Sequence, residues 1–134
     1  MNAGSNPSDR RGGVDMPAQA WIDFLQQYQK AHLVSAVLMP RRTAMHARHL
    51  RSMLSQLIKQ LGPKMAFATA IVRNQDIVEI HCGFAHKEDA DLLAGLMKAR
   101  TVTAGTGWSS RRSFRLSADK EVTLAGLLGQ RMDE

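Results

Sequence analysis

Cysteine, long apolar runs and, through the middle of the chain, acidic residues are all scarce here, and each scarcity excludes something. Cys82 is the one cysteine, so no intrachain disulfide braces the fold. It lies in an apolar run, which predicts a small buried thiol rather than a nucleophile. The longest apolar stretch, Leu33 to Met39, falls far short of the roughly 20 residues that cross a bilayer. Residues 1–13, dominated by Gly, Ser, Asn and Pro, have no apolar core of the kind a secretory signal needs. A cytoplasmic location is therefore expected, with no membrane and no cofactor. The most informative absence is of carboxylates. Between Asp23 and Asp76 there is none, while eight Lys or Arg occur.

What is present fits one folded domain. The 134 residues are enough to bury a core without metal or disulfide staples. Residues 1–14 are expected to be a disordered tail and residues 15–134 a single α+β domain. The net charge is +6 and the sequence pI about 10.1. This excess is concentrated: residues 16–62 hold six Lys or Arg against Asp23 alone, whereas residues 63–100 balance five of each sign.

Hydrophobic spacing divides the chain into elements. Asp15 can cap a first helix, in which Trp21, Leu25, Tyr28 and His32 recur on one side. Leu33 to Met39, closed by Pro40, reads as a short buried strand. Thr43 is a plausible cap for the longest helix, Ala44 to Leu61, which Gly62-Pro63 stops. Two strands follow, Met65 to Arg73 and Asp76 to Phe84. A two-residue loop at Asn74-Gln75 would pair Val72 with Ile77. It would put Phe67, Thr69 and Ile71 on the core face, and Ala66, Ala68, Ala70, Glu79 and His81 on the other. A third helix is expected from His86 to Ala99 and a loop from Thr101 to Gly107. Trp108 to Leu116 then alternates as a strand. Trp108, Phe114 and Leu116 share one parity with the discordant Arg112, while Ser109, Arg111, Ser113 and Arg115 share the other. A last helix starts near Asp119. The order predicts a ferredoxin-like βαββαβ core with an extra N-terminal and C-terminal helix. The Ala-rich sheet face would be covered by the Trp21, Leu25 and Tyr28 stripe, or used for dimerisation.

The carboxylate-free region carries the main functional expectation. Arg41, Arg42, Arg48, Arg51 and Lys59 can track a phosphate backbone, each neutralised phosphate releasing counterions. Arg111 and Arg115 would be auxiliary contacts. This describes a small non-catalytic protein that binds DNA or RNA largely without regard to sequence. The bland alternative is a solvated surface, or guanidinium groups paired with acids such as Asp89, Asp91 or Glu121 after folding. The RNA-recognition motif has the same order of strands and helices. Its aromatic sequence, a basic residue then Gly-Phe-Gly-Phe-Val, is absent from the 77–84 strand, so no membership follows.

Two other classes compete. A homodimeric interaction module would use the open sheet face or recognise an acidic protein. A small enzyme would use His81 and Glu79, two apart on one strand face, for acid–base work. That reading requires a cleft around the pair. His46 and His49 are neighbours on a helix, but no third ligand is near and the surrounding Arg would repel a cation, so no metal is expected. Gly105-Thr-Gly107 lacks the flanking strand and helix of a phosphate loop and reads as a turn.

Overall fold

The computed structural model describes residues 18–38, 44–62, 64–74, 76–103 and 107–132. The expectations for the 1–14 tail, the caps at Asp15 and Thr43, and Arg41 and Arg42 fall outside these residues. The elements run α1 (Ala18–Gln27), β1 (Ala31–Leu38), α2 (Ala44–Leu61), β2 (Phe67–Asn74), β3 (Ile77–Phe84), α3 (Lys87–Met97), β4 (Arg100–Thr101), β5 (Trp108–Leu116) and α4 (Ala118–Met132).

The strands form one five-stranded sheet in the order β2-β3-β1-β5-β4. β1 is central and pairs antiparallel with β3 and parallel with β5. Its near-continuous apolar sequence follows from that position, because both of its faces are covered. Val34, Ala36 and Leu38 point toward α2, α3 and α4, which bury Leu50, Leu54, Leu57, Leu93, Met97 and Leu124 against the same sheet face. Leu33 points the other way, into a smaller cluster with Trp21 of α1 and Ala70 of β2.

This is α+β, but the ferredoxin-like arrangement is not what forms. Helix α3 ends at Lys98, whose left-handed backbone (φ 56°) turns the chain sharply. The two-residue β4 follows, taking in Thr101, the first residue of the segment expected to be a loop, and lies antiparallel to β5. That extra reversal sends β5 back parallel to β1 in a mixed sheet.

Three local expectations are also corrected. Helix α1 stops at Gln27 and not at His32, because Ala31 already enters the central strand. His32 therefore belongs to β1, where its Nδ1 lies 2.8 Å from Ser110 Oγ. The β2–β3 turn is displaced, pairing Asn74 with Ile77 and Ile71 with Ile80. The slip is an even number of residues, so the expected faces survive. Finally, the β1–β5 register shifts between Ala31 and His32, a β-bulge that sets Trp108 opposite Ala31. Trp108 thereby joins the Trp21 cluster instead of lying with Phe114 and Leu116.

Candidate nucleic-acid interface

The sheet topology distributes the cations. Strand β2 forms one edge of the sheet and β4, beside β5, the other, with β3 and β1 between. Neighbouring strands are about 4.8 Å apart, so the two edges are separated by roughly 20 Å. Cations anchored at one edge do not form a patch with those at the other.

At the β2 edge, Arg51 and Lys59 of α2 line a groove shared with α1 and the start of β2. Arg48 is exposed elsewhere on α2. The β5 arginines diverge among themselves. Arg111 Nη2 lies 3.9 Å from Glu79 Oε1 on the α1 side of the sheet. Arg112, the discordant residue on the helix-covered side, is 2.6 Å from Asp91 Oδ1, and this resolves its misfit with the apolar pattern. Arg112 and Lys87 hold the Asp91 carboxyl below the usual carboxylate range. Only Arg115 points into a cationic cleft. The five expected contacts that are described, Arg48, Arg51, Lys59, Arg111 and Arg115, are therefore not brought together. Of the acids named as possible neutralisers, Asp91 pairs with Arg112 and Lys87, and Glu121 lies 3.3 Å from His46.

The cleft at Arg115 is built from residues that the sequence reading passed over. Beyond the two-residue β4, the outer side of β5 is left uncovered between the end of α3 and the start of α4. There Lys98, Arg100, Arg115 and Lys120 surround a cleft of about 620 Å³, with Val37 and Val102 apolar and Ser113 and Ser117 offering hydroxyls. No carboxylate among the described residues lines it. Lys120 Nζ donates to the Met97 carbonyl at 2.7 Å, so its ammonium is held at the C-terminal end of α3. None of the four forms an ion pair among the described residues. A signal for this cleft was available. Residues 92–118 hold five Lys or Arg and no carboxylate, a second acid-free stretch shorter than the first.

On the α1 side of the sheet, His81 and Glu79 do touch, with His81 Nε2 donating to Glu79 Oε1 at 3.0 Å. That bond, and then nearby Arg111, hold the Glu79 carboxyl below its ordinary value despite partial burial. Ser35 is the cross-strand partner of both His81 and Ser113, fully buried, and its Oγ has no hydrogen-bond partner among the described residues. The Trp21 ring stands 6.3 Å from the His81 ring. Neither His81 nor Glu79 lines the groove at Arg51 and Lys59 or the cleft at Arg115. Burial pushes the Cys82 thiol up to about 12, which keeps it protonated and unreactive.

Among the described residues, no group of His, Cys, Asp or Glu is placed to hold a metal ion. No described helix is long and apolar enough to cross a membrane. Comparison with protein-family models, curated proteins and solved structures finds no match to this chain.

Proposed function

We propose that the protein binds nucleic acid without catalysis, holding backbone phosphates in the cleft between α3, β5 and α4. The observation that carries this reading is the convergence of Lys98, Arg100, Arg115 and Lys120 on one concavity that no carboxylate of the described residues lines. Such a cluster is held at a cost in mutual repulsion unless an anion relieves it. Guanidinium, ammonium and hydroxyl groups all donate to phosphate oxygens, and two arginines add forked geometry suited to them. The aromatic contribution is small, since Phe114 is largely buried. Recognition would thus be of phosphate charge and not of base sequence.

The test is fluorescence anisotropy with a labelled oligothymidylate of about 20 nucleotides. Binding should fall steeply between ~50 and ~200 mM salt, and Arg115→Ala or Lys98→Ala should each reduce the log–log salt slope by about one. Lys59→Ala, at the opposite sheet edge, should leave the slope unchanged. No binding at low salt, or equal losses from Lys59→Ala and Arg115→Ala, would remove this site from consideration.

A further inference from the structure

Strand β2 is a sheet edge of eight residues, Phe67–Asn74, and its outer side has no strand partner among the described residues. The inner hydrogen bonds fix which groups face out. The Ala85 N–H donates to the Ala66 carbonyl at 3.0 Å, so by antiparallel alternation Ala68, Ala70 and Val72 bond toward β3. Phe67, Thr69, Ile71 and Arg73 therefore present their N–H and C=O groups outward. Natural edges of this length are normally guarded by proline, lysine, a bulge or a covering segment. Phe-Ala-Thr-Ala-Ile-Val-Arg-Asn contains no proline or lysine, and its register with β3 is unbroken. The other edge of the sheet ends in the two-residue β4, which leaves little to pair with.

The N-terminal half of this edge is also the floor of a groove. Phe24 of α1 and Tyr28 just after it form one wall, α2 supplies Ser52, Ser55 and Lys59 on the other, and Met65 to Thr69 lie between, around a volume of about 720 Å³. An edge backbone recessed between two helices has the form of a site that takes one added strand: backbone bonds give affinity and the walls select side chains. We infer that this groove binds an extended, acidic peptide segment of another protein by strand addition to β2.

Two observations select that occupant. Exposed Lys59 stands on the α2 wall, the whole of α2 carries no carboxylate, and Asp23 is the one acid among the described residues that line the groove. A second copy of this chain is disfavoured, because it would bring another +6 charge and its own α1 and α2 walls to the same edge. A single extended segment with Asp or Glu beside its pairing residues meets neither obstacle. This surface is separate from the phosphate cleft and does not depend on it.

The experiment uses the full chain and a phage-displayed library of random linear peptides long enough to span β2. Enriched peptides, made synthetically, should be rich in Asp and Glu next to alternating apolar residues. The best of them should slow amide exchange at Phe67, Thr69 and Ile71. Ser52→Trp and Ala20→Trp, both at exposed groove positions, should each weaken its binding by at least about tenfold by filling the groove, with unchanged circular dichroism and melting. Peptides without acidic enrichment would overturn the inference. So would protection at other amides, or affinity indifferent to both tryptophans. A dimer in analytical ultracentrifugation that Ser52→Trp dissociates would instead assign the groove to a second copy, and would equally overturn it.

Discussion

His32 shows how one residue's environment sets a pH response. Its ring is half-buried on β1 beside Ser110. Burial first, then the positive charges of Lys87 and Arg112, lower its pKa below the ordinary 6.5. The unfolded chain therefore takes up its proton at a higher pH than the folded chain does, so stability falls as pH drops below the ordinary value. Denaturant midpoints measured between pH 7 and about 5.5 should decline, and His32→Gln should flatten that part of the decline. An unchanged slope in the variant would place the titrating group elsewhere. Sequence spacing put His32 on the first helix, because positions 21, 25, 28 and 32 satisfy a helical period. That period carried no information about where the chain must turn to supply the central strand. Arg112 was conspicuous for the same kind of reason: its misfit was visible in the alternation, but its partner Asp91 lies 21 positions away and only packing joins them.

Among the elements, α1 depends on an unusually close approach to the sheet. A Cβ added at Gly83 would stand 3.0 Å from Phe24 and 3.4 Å from Trp21. Both rings belong to the docked face of α1, and Trp21 and Phe24 are buried. Alanine in a strand gains roughly 0.5–1 kcal/mol over glycine, but crowding a packed core costs about 1–3 kcal/mol. Gly83→Ala should accordingly destabilise by about 1 kcal/mol and shift tryptophan emission to the red as α1 loosens, measurable by urea titration. The covering of the Ala-rich face by the Trp21 and Leu25 stripe was one of two outcomes the sequence allowed. Small residues at Ala68, Ala70 and Gly83 are what let the helix lie close. The bulge at Ala31–His32 was not legible, since one extra residue leaves the face parity of 110–116 intact and moves only Trp108.

For the molecule as a whole, the described cations that line the two clefts are divided between opposite edges of the sheet. The cleft at Arg115 and the β2 groove share no lining residue. Sites so separated behave additively, with coupling within about 0.5 kcal/mol. The double variant Arg115→Ala, Ser52→Trp should lose oligonucleotide affinity as Arg115→Ala does and peptide affinity as Ser52→Trp does. Simultaneous titration of both ligands should show each binding unaffected by the other, beyond the screening expected of their charges. Strong competition would mean one shared surface.

The spans of α2, α3 and α4, the buried central run, the parity of the β2 and β3 faces and the excess of positive charge are all written in the linear sequence. Each depends on near neighbours: a repeat of 3.6 or 2 residues, a breaker such as Gly62, or a count of charges. Which cations converge is decided only by tertiary structure. Arg115 meets Lys98, Arg100 and Lys120 because a left-handed Lys98 and a two-residue strand reverse the chain once more and stop short of the end of β5. Convergence of charges distant along the chain depends on strand order and direction. These are set by the packing of the whole sheet, which no local period encodes.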